Sequence, residues 1–106
     1  MRVLLDESLP RGLAALIAGH QVSTVSAEGW AGLDNGALLT EASIKFDTLI
    51  TIDANLPYQQ NLERFDIGVV QVRARTNRLA DLESLVPAIR RALDGISPGE
   101  LRRVGA

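Results

Sequence analysis

The 106-residue sequence has no cysteine, so it can build neither a disulfide framework nor a thiolate metal site. It has one histidine, His20, which excludes any multi-histidine metal site. Carboxylates are the only plentiful metal ligands left. Basic charge is not in excess either. Against 13 Asp and Glu stand 11 Lys and Arg, a net charge of −2 that does not suit a general nucleic-acid coat protein. No apolar run approaches the ~18 residues of a membrane span, and no basic-then-apolar leader opens the chain. Repeats, linkers and low-complexity stretches are absent as well. These absences point to a soluble cytoplasmic protein with no membrane partner.

What is present is a globular balance, with 46% hydrophobic and 23% charged residues. The length suits a single domain over residues 1–106, large enough for a real core. The basic residues are nearly all arginine, with Lys45 the one lysine, and several arginines cluster late in the chain.

Two stretches share a pattern. In VLLDESLP (Val3 to Pro10) an apolar run meets Asp6 and Glu7 just before a proline. In LITIDANLP (Leu49 to Pro57) another apolar run meets Asp53 before a second Leu-Pro. Arg2–Leu5 is too short for a helix and reads as a buried strand. Pro10 can open a helix carrying Leu9, Leu13, Leu16 and Ile17 at helical spacing, with Gly19 as its stop and His20 finishing it. Gln21–Val25 reads as a second strand. Gly29–Gly36 is a loop with Trp30 packed over the core, and Asp34 precedes an amphipathic helix of Leu38, Leu39, Ala42 and Phe46. Thr48–Ile52 is strand three, Asn55–Arg64 is irregular with at most a helical turn, and Ile67–Val72 is strand four. A last helix sets Leu79, Leu82, Leu85, Val86, Ile89 and Leu93 on one face, which is core or in part a dimer face. Pro87 requires a kink or break in that helix. Leu101–Val104 is an edge strand or a tail.

Strands alternating with helices imply an α/β fold, a three-layer α/β/α arrangement around a four-stranded, mainly parallel sheet. Function in such sheets gathers at the carboxyl ends of the strands, where Asp6 and Asp53 stand. If strands one and three are neighbours, the two carboxylates converge. They must then be protonated or bridged by a cation, and oxygen-rich clusters suit Mg²⁺ or Mn²⁺. The plainer alternative is that each Asp caps the turn that follows it. Glu7 is a second-layer group or a solvated charge. A third carboxylate comes from Asp34 or Glu41, seven positions apart and on one helix face. Asp34 is preferred because helix starts lie near the strand-end rim, although it also suits an N-cap. Asn55 offers a neutral oxygen or merely forms a turn. Arg73, Arg75 and Arg78 suit phosphate or belong to an ordinary solvated loop. Tyr58, Gln59 and Gln60 could stack on or hydrogen-bond a base.

These segments resemble two families. FDTLITIDANLP is similar to the phospho-acceptor segment of response-regulator receiver domains, but Lys45 does not stand where their phosphoryl-pairing lysine must, and no room remains for their fifth strand and helix. The chain resembles more fully the PIN-like nuclease superfamily, in particular small stand-alone domains related to VapC-type toxins. LLDESLP resembles their first-strand motif, GLDNGALLTEA their helix-borne second acid, and LITIDANLP their T-x-D strand end. The likeness runs in order over most of Met1 to Arg75. It implies a ribonuclease in which Asp6, Asp34 and Asp53 bind Mg²⁺ or Mn²⁺ for hydrolysis of RNA phosphodiesters, with Glu41 and Asn55 auxiliary. It also implies an antitoxin protein covering the acidic rim, as in toxin–antitoxin pairs, and a homodimer. The contrasting expectation is a non-catalytic PIN-like module that binds RNA or protein.

Overall fold

Apolar runs too short for helices become the centre of a sheet. The computed structural model describes residues 1–17, 19–56 and 60–105. Its strands are β1 (Arg2–Leu5), β2 (Gln21–Thr24), β3 (Thr48–Thr51), β4 (Gly68–Val72) and β5 (Leu101–Val104). Its helices are α1 (Gly12–Leu16), α2 (Asn35–Lys45), α3 (Leu79–Glu83) and α4 (Val86–Leu93), with a 3₁₀ turn at Leu62–Arg64. All strand pairs are parallel, in the order β2-β1-β3-β4-β5.

The α/β expectation holds, but the sheet has five strands rather than four and is wholly parallel. The difference is Leu101–Val104, which pairs with β4 from Val69↔Leu101 to Val72↔Val104. Of the two readings of this segment, edge strand or tail, the first holds, and the sequence alone leaves them open because an edge strand needs no continuous apolar run. Arg102 and Arg103 interrupt the pattern, and charge on an edge discourages pairing with another chain. Every residue of β3 and β4 is buried, as strands covered on both faces require.

Strand pleating divides the core into two layers. Val3, Leu5, Ile50, Val70, Val72 and Val104 meet Leu13 of α1, Leu82 of α3, and Ile89 and Leu93 of α4. On the other face Leu4, Leu49 and Val69 meet Leu38, Leu39 and Ala42 of α2. Trp30 packs on this second layer and meets Phe46 edge-on, with ring centroids 6.0 Å apart.

Pro87 breaks the last helical stretch as expected. α3 ends at Glu83 and α4 begins at Val86, with Pro87 in its first turn, where no intrahelical N–H is needed. The first helix is shorter than its spacing suggests. Gly12–Leu16 is a single turn or so, capped by Ile17. His20 therefore does not finish the helix and instead lies 3.5 Å from the Met1 amino group through Nδ1. Among the described residues no helix is long and apolar enough to cross a membrane.

Candidate functional site

The chain leaves β1 toward β2 on one side, and β3, β4 and β5 follow on the other. Strand order therefore reverses between β1 and β3, and in open parallel sheets ligands bind outside the carboxyl ends of the strands at such a reversal. Asp6 follows β1 and Asp53 follows β3. The strands are adjacent, with Leu5 level with Ile50, and Asp6 N donates to the Ile50 carbonyl at 2.9 Å.

One side chain joins the two acids. Thr51 Oγ1 donates to Asp6 Oδ2 at 2.8 Å and accepts from Asp53 N at 3.0 Å. Thr51 is fully buried, so its hydroxyl is held by these two partners rather than by water. Asp6 Oδ2 also accepts from Ser8 Oγ at 2.9 Å, and its Oδ1 accepts from Glu7 N at 2.9 Å. Asp53 Oδ1 accepts from Asn55 N at 2.9 Å, and its Oδ2 faces Asn35 Nδ2 at 3.4 Å. Both residues are half-buried. The turn-capping alternative is thus present in both places, and it orients each carboxylate.

Pleating extends the constellation sideways. Thr51 is level with Gln71, and Gln71 with Arg103. Asp6, Thr51, Gln71 and Arg103 form a polar row across four strands, on the face covered by α2. Gln71 is only 3% exposed, and its Nε2 reaches the Asp53 carbonyl at 3.4 Å. Its Oε1 accepts from Arg103 Nε at 3.0 Å.

The other expected residues divide. Asp34 is the N-cap of α2, its Oδ1 accepting from Ala37 N at 2.8 Å. It is the next residue, Asn35, whose side chain reaches Asp53. Glu41 lies exposed farther along α2 and makes no hydrogen bond or ion pair among the described residues. Asn55 forms the turn after Asp53 through its backbone. Glu7 is exposed. Arg73 and Arg75 line one groove of about 440 Å³ with Ala80, Asp81 and Ser84, and neither Asp6 nor Asp53 lines it. Arg78 is exposed at the start of α3. Tyr58 and Gln59 lie outside the described residues.

The acid pair suits a hard divalent cation. A carboxylate offers about four lone-pair positions. Asp6 uses three of these and Asp53 two in the bonds above, so each retains acceptor capacity. Mg²⁺ is commonly held by one or two carboxylates while keeping several waters. Among the described residues no three Asp, Glu, His or Cys side chains form a ready-made metal cluster. What the two residues could offer a cation is therefore their unused carboxylate oxygens, with water as the remaining ligands.

Thr51, Asn35, Gln71 and Arg103 were not among the residues expected at the site. Thr51 is legible in the T-x-D spacing, two residues before Asp53. Gln71 carries a signal too, because an amide inside the apolar run IGVVQV needs a buried partner. Arg103 carries none until Leu101–Val104 is known to be a strand. No family model, curated protein or solved structure matches the chain.

Proposed function

We propose that the protein is a metal-dependent ribonuclease of PIN-like type, using Mg²⁺ or Mn²⁺ held by Asp6 and Asp53, with Asp34 as the candidate third acid. The observation that carries this reading is the Thr51 hydroxyl joining the two acids at the reversal of strand order. Carboxylates fixed by several hydrogen bonds are oriented before any ligand arrives, which is how supporting groups tune a metal site. The cation, when bound, supplies Lewis-acid chemistry for phosphodiester hydrolysis.

The chain's own residues have separable tasks. Asp6 and Asp53 offer oxygens of fixed direction, and Thr51 and Ser8 keep Asp6 from rotating. Asn35 steadies Asp53 from the start of α2. Asp34 supplies a further acid at that helix start, with Glu41 and Asn55 auxiliary. Arg73, Arg75 and Arg78 offset the repulsion between an acidic rim and a polyanion. An antitoxin that covers the rim and a homodimer belong to the same proposal. A neighbouring reading frame encoding a small DNA-binding protein would support the toxin assignment.

The test is cleavage of single-stranded RNA in Mn²⁺. Wild type should cleave, chelator should stop it, and Asp53→Asn from the same purification should be inactive. Equal cleavage by Asp53→Asn would reject the catalytic assignment. A second reading, a non-catalytic PIN-like RNA- or protein-binding module, is favoured by one observation: Asp34 engages an oxygen with the Ala37 N–H, and no third acid joins the pair among the described residues. Salt-sensitive RNA binding without cleavage by wild type would select that reading.

A further inference from the structure

Two successive arginines on β5 are used in opposite ways. Arg102 is consumed by the fold. Its Nε donates to Glu100 at 2.8 Å, its Nη1 to the Ala92 and Asp94 carbonyls at 3.2 and 2.5 Å, and its Nη2 to the Gly95 carbonyl at 3.3 Å. It therefore ties the edge strand to the end of α4. Arg103 makes one hydrogen bond, from Nε to Gln71, and its two terminal nitrogens have no partner among the described residues. Pleating puts it on the opposite face from Arg102, in the row that contains Asp6.

The bond to Gln71 is directional. An arginine Nε can only donate, so the Gln71 oxygen must face it. The Gln71 amide nitrogen must then face the Asp53 carbonyl, which can only accept. Both demands are met by one orientation of a buried amide, so Gln71 couples Arg103 to the backbone of an acid-pair residue. Guanidinium is planar, and holding Nε leaves the edge formed by Nη1 and Nη2, which matches two oxygens of a phosphate.

We propose that Gln71 and Arg103 form a phosphate subsite beside the acid pair, with Arg103 contacting a phosphate oxygen pair and Gln71 acting as the positioning residue. That the phosphate belongs to an RNA strand rests on the ribonuclease reading. That the subsite takes an oxyanion does not. Its place in the row gives it a task that the groove of Arg73 and Arg75 does not have. It puts a fixed cation on the same sheet face as two carboxylates that would otherwise repel the strand. Arg103 thereby sets which phosphate along the strand lies next to the acids.

The full chain is tested with two probes, inorganic phosphate and a labelled single-stranded oligoribonucleotide kept intact by chelator. Phosphate should shift the NMR signals of the Arg103 Nε–H and the Gln71 side-chain amide, and Arg103→Ala should abolish the shift at Gln71. The same variant should weaken oligonucleotide binding roughly tenfold, the size of a charge-assisted hydrogen-bonded contact. It should also lower the slope of log affinity against log salt by about one. Arg103→Lys, keeping charge without the fork, should fall between. Gln71→Leu should weaken binding while leaving the salt slope unchanged, because the charge stays and only its placement is lost. Arg91→Ala, an exposed arginine on α4, should change nothing. No phosphate-induced shift at Arg103 or Gln71 overturns the subsite, as does Arg103→Ala that binds the oligonucleotide like wild type. Phosphate binding through Arg103 in a protein that never cleaves RNA in Mn²⁺ keeps the subsite and discards the ribonuclease reading alone.

Discussion

Asn77 Nδ2 donates to the Ser8 carbonyl at 3.1 Å, although the two residues are 69 positions apart in sequence. Ser8 Oγ in turn holds Asp6 Oδ2. The loop bearing Arg73, Arg75 and Arg78 is thereby fastened to the loop that carries the first acid. Asn77→Ala should cost about 1 kcal/mol or less in denaturant unfolding, because the bond is exposed. It should also weaken RNA binding by loosening the arginine loop. Faster amide exchange over residues 73–78 and 6–9 together is the expected sign, and exchange unchanged in either segment would show that the loops are not coupled.

Thr51→Val tests the link between the acids with little change in volume. It strips Asp6 Oδ2 of one donor and leaves the Asp53 N–H without its acceptor in a half-buried place. A loss of about 1–3 kcal/mol follows for the unsatisfied group, readable as a lower denaturant midpoint at unchanged slope. Cleavage should fall further than stability alone explains. Thr51→Ser, which keeps the hydroxyl, should retain most of both. If Thr51→Val cleaves as well as wild type, the orientation supplied by Thr51 is irrelevant to function.

Metal should stabilise the native state by mass action, so Mn²⁺ or Mg²⁺ should raise Tm with the logarithm of its concentration once that exceeds Kd. Asp6→Asn should shrink that rise. Relief of repulsion alone predicts a more stable metal-free variant, but the bonding around Asp6 predicts the reverse. Its carboxylate accepts from Glu7 N, Ser8 Oγ and Thr51 Oγ1, and an amide would set an NH₂ group against one of those donors. We expect Asp6→Asn to lose about 1 kcal/mol without metal. A metal-induced Tm rise undiminished in this variant would locate the ion elsewhere.

Gly68 shows how tightly β4 is overlain by the segment after α4. A Cβ there would lie 2.9 Å from Ile96 Cγ1 and 3.2 Å from the Ser97 carbonyl oxygen. Gly68→Ala should therefore destabilise by about 1–3 kcal/mol through overpacking. Ile96→Val in the same chain should recover part of this, since a side chain can retreat where a carbonyl cannot. Equal denaturation midpoints for wild type and Gly68→Ala would contradict the packing.

Glu28 joins β2's following turn to the end of α2. Hydrogen bonds from Lys45 and Ser23 hold its carboxyl below the usual glutamate range. A carboxylate whose pKa is depressed by folding adds stability above its unfolded pKa of about 4.3, and that stability is lost as pH falls through the lower folded value. Lys45→Met should remove most of this contribution, giving a flatter stability profile below about pH 4 than wild type. Parallel profiles for the two proteins would show that the pair contributes nothing.

Much of the molecule is determined by the sequence alone, because local physics decides it. Short apolar runs that end at an acid, as Val3–Leu5 at Asp6 and Leu49–Ile52 at Asp53, are too brief for helices and read as strands. Pro87 cannot sit beyond the first turn of a helix without breaking it, and Asp34 before an amphipathic stretch caps it. The repeated run-then-Asp pattern also announces that two carboxylates stand at strand ends. Other features depend on which strands are neighbours, and strand order is a property of long-range packing. Only the fold makes β1 adjacent to β3, and only then does the Thr51 hydroxyl become the link between Asp6 and Asp53. Leu101–Val104 is decided the same way: with two arginines in four residues it reads equally as an edge strand or a tail until β4 offers an unpaired edge. With that pairing made, Gln71 comes level with Arg103, and a polar residue in one strand acquires a partner 32 positions away. The site's acids are local facts, and the residues that hold them in place are tertiary ones, because side chains meet across a sheet only when register brings them level.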